Sequence, residues 1–202
     1  MPPAMRQKAR QVTDKAIICA MLDGMDVLFL SMNDGPAPYT VPLNFGYEFG
    51  EELVFYFHCA KAGHKLECLR RDPNVCVSAA SFISYAGGSV RGHMHDYRSV
   101  IARGRAERID PTDAQALRRA MEAILLHNGR DAADANSPVM AHVELWRICC
   151  RAEDVTAKAE ITPRSVEEVP FLPAKGDGTP MDDSHILDMK KSVENENCIK
   201  QG

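Results

Sequence analysis

PYTVPLNFGY at residues 38–47, followed after Gly50-Glu51-Glu52 by LVFYFH at residues 53–58, sets the fold class. In the first segment Tyr39, Val41, Leu43 and Phe45 alternate with Thr40, Pro42 and Asn44, the period of a strand with one face in a core. A proline cannot donate to the ladder, so Pro42 belongs on an edge strand or where pairing is interrupted. Residues 26–32 (DVLFLSM) read as a strand before it, closed by the turn-forming Asn33-Asp34-Gly35-Pro36. Three strands joined by short turns predict an antiparallel meander rather than a parallel nucleotide-binding unit.

Outward from that segment, Thr13 is placed to cap a short helix running to Met21, with Asp14 in its first turn. Residues 60–71 (AKAGHKLECLRR) have helical composition and stop before Asp72-Pro73. Residues 74–82 return to strand, 83–96 form a glycine-containing loop, and 97–109 make a long strand. Asp110-Pro111 then reads as an N-cap and first helical position. Leu117, Met121, Ile124 and Leu125 supply one apolar helical stripe. A last strand over 141–150 carries the single tryptophan, Trp146. Six strands with flanking helices are most economically arranged as a small antiparallel barrel, which removes exposed edges. The first dozen residues read as a polar arm. The expected division is a barrel domain at 1–159 and an acidic, extended tail at 160–202.

The totals narrow the classes of function. The net charge is −4, yet residues 1–151 carry 18 basic against 17 acidic side chains, and residues 152–202 carry 6 against 11. A nearly neutral barrel lacks the basic stripe that nucleic acid requires. No apolar run approaches the ~18–20 residues of a membrane span, so a cytoplasmic protein is expected, with no membrane partner. Seven cysteines without a paired C-x2-C pattern point to reduced thiols rather than disulfides or zinc. Cys149-Cys150 read as core and neighbour, because a disulfide between adjacent residues is strained.

Three constellations carry chemistry. Around Pro42, unpaired backbone amides and carbonyls can meet a flat polar heterocycle, although a plain edge-strand proline gives the same pattern. FHCAKAGHK at residues 57–65 spans a strand end and a helix start. Free amides there favour an anion, with Gly63 to admit it, Lys65 to pair with it and Lys61 as a second cation. The alternative is a solvated helix terminus with surface lysines, and the spacing is not that of a Walker loop. His58 shares a strand face with Val54 and Tyr56. It is either a half-buried polar residue or a group acting near neutral pH. His93 and His95 offer two metal ligands without a third placed by spacing, so no metal site is expected.

Together these segments resemble the pyridoxamine 5'-phosphate oxidase-like flavoproteins, with the 5-nitroimidazole-resistance (Nim) branch nearest. The resemblance rests on Asn33-Asp34-Gly35 with Pro38-Tyr39, on residues 41–46 and 56–66, and on residues 97–101 with Gly104-Arg105-Ala106. It covers roughly residues 5–150. It implies a split β-barrel homodimer holding FMN at the subunit interface. Thr40, Val41, Pro42, Leu43 and Asn44 would lie against the ring, and Phe57, His58, Cys59 and Ala60 would line the ring and ribityl chain. Gly63 and Lys65 would hold the phosphate with Lys61 and His64 nearby, while Tyr97, Arg98, Ser99 and Val100 complete the pocket. His58 is the implied catalytic residue. Cys59 stands where many relatives carry serine, which weakens one donor. The implied activity is FMN-dependent oxidoreduction of a small planar substrate, of the nitroimidazole type in the Nim reading. The competing reading is a flavin, deazaflavin or haem binding module on the same barrel without turnover.

Overall fold

The computed structural model describes residues 5, 6, 8–85, 95–132 and 142–160. The expected loop at 83–96, with His93 and Gly87-Gly88, lies for the most part outside them, as does the acidic tail beyond residue 160.

The described residues form one antiparallel sheet of nine strands and three α-helices. In chain order these are β1 (Gln11–Val12), α1 (Lys15–Asp23), β2 (Leu28–Asp34), β3 (Ala37–Leu43), β4 (Gly46–Phe49) and β5 (Glu52–Ala60). They continue as α2 (His64–Arg71), β6 (Asn74–Tyr85), β7 (His95–Arg108), α3 (Ala114–His127), β8 (Val143–Arg151) and β9 (Val155–Glu160). The strand order is β3-β2-β6-β7-β8-β5-β4, with β9 joining β1 to β7. The long β7 makes the split. Tyr97–Ala102 pairs with β9, whereas Arg105–Arg108 pairs with β8. The sheet stays open, as a split barrel does.

The six expected strands are present as β2, β3, β5, β6, β7 and β8, and the structure adds three short ones. The segment at 38–47 is two strands, not one. β3 pairs with β2, while β4 pairs with β5 at the other end of the strand order, so the predicted meander is instead two separate hairpins. The break falls at Asn44-Phe45. The Asn44 amide donates to the Asp26 carbonyl at 3.2 Å, and Gly46 then passes so close to α3 that a Cβ there would sit 2.3 Å from the Ala123 carbonyl carbon. Only glycine permits that approach. Pro42 does lie on an edge strand, exposed and opposite Phe29.

Two helix caps shift from their expected positions. Asp14, not Thr13, caps α1, its carboxylate accepting from the amides of Ala16 and Ile17. Asp113, not Asp110, caps α3. Asp110 instead accepts from the Thr112 amide and hydroxyl in the preceding turn, at 2.8 and 2.7 Å. The stripe of α3 packs as read, with Met121, Ile124 and Leu125 buried over Tyr56, Ile109 and Leu145. β9 escapes the sequence pattern because Val-Thr-Ala-Lys-Ala-Glu is short and poor in strand-favouring side chains.

The main core lies inside the curved sheet, where Phe45, Phe55, Phe57, Leu28, Leu30 and Ile148 are fully buried. Trp146 stacks on Phe57 at 6.4 Å with an interplanar angle of 15°. The thiol of Cys150 is buried in this core and pushed up to about 12 by that burial, whereas Cys149 is only partly covered. The six cysteines among the described residues are free, as reduced thiols require. Among the described residues no helix is long and apolar enough to cross a membrane.

Candidate functional site

β5 ends at the site. Its alternation buries Phe57 and Cys59 in the core and leaves His58 and Ala60 exposed. Burial pushes the Cys59 thiol up, so its side chain is a neutral core group in this chain. The His58 imidazole lies below its ordinary value, first because its surroundings desolvate the cation and second because of the Lys65 ammonium. A ring held neutral near pH 7 offers one donor and one acceptor nitrogen.

The turn Lys61-Ala62-Gly63 leads into α2. Gly63 is the N-cap at φ +130°, a conformation that L side chains rarely adopt, and open space surrounds the position where its Cβ would be. α1 and α3 each have an aspartate on their first amides, but α2 has no side-chain cap. The first amides of a helix have no partner within it, so α2 presents unfilled donors with a positive dipole end. Lys65 adds a cation there. Its ammonium stands 5.5 Å from the centre of the Phe57 ring rather than against a carboxylate. This donor set fits a dianionic phosphate.

The other predicted contacts divide by strand face. On β3, Val41 and Leu43 pack against the core while Thr40 and Pro42 are exposed, as is Asn44 just beyond it. The Thr40 hydroxyl hydrogen-bonds the Ser31 hydroxyl at 3.0 Å. On β7, Arg98 and Val100 are buried, whereas Tyr97 and Ser99 are only partly covered. The Lys158 ammonium lies 5.0 Å from the Tyr97 ring centre. Val41, Leu43, Phe57, Cys59 and Val100 share one core, whereas Thr40, Pro42, Asn44, His58 and Ala60 are exposed and Tyr97 and Ser99 are partly so. The start of β3 reaches α2 through Tyr39, whose ring meets His64 edge-on at 4.9 Å.

His64 is not turned to the helix start. Its Nε2 lies 2.6 Å from the Asp34 carboxylate and its Nδ1 lies 3.3 Å from Glu67. Asp34, Glu67, Cys68 and Arg71 were missed in the sequence. The signal available was the i, i+4 spacing of His64 and Cys68, which puts both on one helix face. A separate cleft of about 910 Å3 opens over β2, β6, β7 and β8 and contains none of the predicted residues. Its Arg147 and Arg151 are neutralised by Glu107 and Asp154 at 2.8 and 2.6 Å.

An open antiparallel split sheet with an uncapped helix start beside the end of β5 defines a pyridoxamine 5'-phosphate oxidase-like fold. Residues 14–159 match the family model described as pyridoxamine 5'-phosphate oxidase, and the chain belongs to that family. Among solved structures it is similar to a candidate 5-nitroimidazole antibiotic resistance protein of Bacteroides thetaiotaomicron, at 27% identity and a TM-score of 0.58, covering 74% of this chain and 86% of that one. An FAD-binding protein of Mesorhizobium loti shares the fold at 22% identity and a TM-score of 0.53, over 75% and 98% of the two chains. So does an FAD and haem binding protein of Mycobacterium smegmatis, at 17% identity and 0.58, over 78% and 79%. No curated protein matches the chain.

Proposed function

We propose that this chain binds FMN and acts as a cytoplasmic, FMN-dependent oxidoreductase on a small planar substrate, with nitroimidazoles as the favoured class. One observation carries the reading: among the described residues α2 is the α-helix without a side-chain cap, and a glycine and Lys65 stand at that vacant start. Phosphate-sized dianions are what such a terminus holds best. The flavin- and haem-binding relatives and the nitroimidazole-resistance relative support the cofactor and substrate class.

When bound, the flavin supplies the electron transfer. The chain binds and orients it. Lys65 and the amides following Gly63 would hold the phosphate, and the exposed Thr40, Pro42 and Asn44 would face the ring. His58, kept neutral by desolvation and by Lys65, holds a hydrogen-bonding proton at one ring nitrogen and presents an acceptor at the other. Ala60, with no bulk or charge, leaves room beside it.

A homodimer completes the pocket. Pro42 of β3, Phe29 of β2, Ser78 of β6 and Ile101 of β7 stand in one register row across the sheet. Phe29 and Ile101 are 46% and 45% exposed in the single chain. Neighbouring apolar side chains left bare on a sheet face mark a protein contact, and a second copy supplies a self-complementary cover.

The test is spectral. Purified protein reconstituted with FMN is expected to show a bound-flavin absorbance band, to be reduced by a nicotinamide donor or dithionite, and to be reoxidised by a nitroimidazole. A protein that takes up no FMN rejects the cofactor assignment. A Soret band on haem titration with no flavin uptake would favour the haem-binding module.

A further inference from the structure

On α2, His64, Glu67, Cys68 and Arg71 cluster near Asp34 at the end of β2. Asp34 Oδ2 lies 2.6 Å from His64 Nε2, and Cys68 Sγ lies 3.7 Å from the same nitrogen. All three atoms fall within 4.8 Å of one another. Tetrahedral zinc ligands at the usual bond lengths stand about 3.3–3.6 Å apart, so small side-chain movements bring these three onto one ion. The remaining atoms of two ligands are already tethered. Arg71 donates to Asp34 Oδ1 at 2.9 Å, and Glu67 Oε2 lies 3.3 Å from His64 Nδ1. A carboxylate on the far nitrogen of a ligating histidine fixes its tautomer and orientation, as outer partners do at metal centres.

We propose that Asp34, His64 and Cys68 form a binding site for a thiophilic divalent cation of the zinc class, with a fourth position open to water. Aspartate and thiolate contribute two negative charges and imidazole none, so the site is neutral once Zn2+ is bound. Cys68 is buried at the helix–sheet junction, Asp34 is partly covered and His64 is exposed, so the ion enters from the His64 side. Without metal, Arg71 balances the charge, its guanidinium 3.7 Å from Sγ. On binding, Cys68 gives up its thiol proton to solvent and Arg71 stays on Oδ1. The ion pins the first turns of α2 to the β2–β3 hairpin, and thereby supports the Gly63–Lys65 segment.

The test titrates tag-free protein with Co2+ and then Zn2+, each metal alone, by absorption spectroscopy and elemental analysis. Expected are one equivalent bound, a thiolate-to-cobalt charge-transfer band in the near ultraviolet, and its loss when Zn2+ displaces Co2+. Cys68→Ser is expected to abolish the band, and Asp34→Asn and His64→Gln to weaken binding at least tenfold. The last two alter side chains partly or fully open to solvent and keep the test alive should Cys68→Ser fail to fold. A protein that binds no stoichiometric metal, or a cobalt band that survives all three substitutions, overturns the assignment. None of these readouts requires flavin, so their failure is separate from failure of the cofactor reading.

Discussion

Lys65 carries its ammonium 5.5 Å above the centre of the Phe57 ring, so the second residue of α2 reaches back over the last buried aromatic of β5. This pairing links the helix start to the strand end, and among the described residues no carboxylate pairs with the cation. A cation left on an aromatic face keeps its charge available to a ligand. Strand, turn and helix thus converge on one positively charged corner with His58 beside it.

Replacing Lys65 with alanine should weaken FMN binding by about 1.5–3 kcal/mol, the range for a hydrogen bond to a charged group. That is roughly 10- to 150-fold in dissociation constant. Fluorescence titration of FMN measures it, and the melting temperature of the flavin-free protein should hardly change because the side chain is partly exposed. Equal affinity in the two proteins would make Lys65 a surface residue.

His58 gives a pH prediction. Its folded-state value is depressed, first by desolvation and then by Lys65, so the unfolded chain binds its proton more readily. The stability from a neutral ring is therefore complete above about pH 6.5, the unfolded value. It is withdrawn as pH falls through the lower folded value. Ring-proton NMR should find His58 titrating below 6.5, and Lys65→Ala should return it only part of the way, since the larger cause remains. His58→Gln should lose less stability than the parent on acidification through that window. If turnover in His58→Gln equals that of the parent, the ring has no catalytic role.

Much of the arrangement was legible because it rests on local pattern. Alternation in 39–45 located the core face of β3 and proline at 42 located an edge, whereas the helix read at 60–71 begins only at His64, because Ala60 ends β5 and Gly63 turns the chain. What the pattern could not carry was pairing between distant segments. Nothing local in Asn44-Phe45 reveals that the chain crosses there from β2 to β5, because the cause is α3, some eighty residues later, pressing on Gly46. The same holds for Asp34. Its neighbours mark a turn, and only the folded sheet brings its carboxylate to His64.

Gly46 yields a stability prediction from that crossing. A Cβ would lie 2.3 Å from the Ala123 carbonyl carbon and 2.4 Å from the Ile124 nitrogen, both backbone atoms that cannot rotate away. Gly46→Ala should push α3 off β4 and cost about 1–3 kcal/mol or more, as forced overpacking does. Urea unfolding measures it. Gly50→Ala is the control, since a Cβ there meets nothing within 4 Å, and it should change stability by about 0.5 kcal/mol or less.

Phe29 tests the assembly. It stands between Pro42 and Ser78 in a row that continues to Ile101, and its 46% exposure means the single chain does not depend on burying it. Phe29→Asp should therefore leave the fold intact while placing a carboxylate at the centre of the proposed contact. An isologous interface repeats each change on both sides, and each lost aromatic forfeits about 1.5–3 kcal/mol of burial. The dimer dissociation constant should rise at least roughly tenfold, seen by sedimentation across a concentration series. FMN affinity should fall with it, because the ring is proposed to lie between subunits. If Phe29→Asp dimerises like the parent, the contact lies on another face. If it becomes monomeric but keeps full FMN affinity, the pocket is complete within one chain.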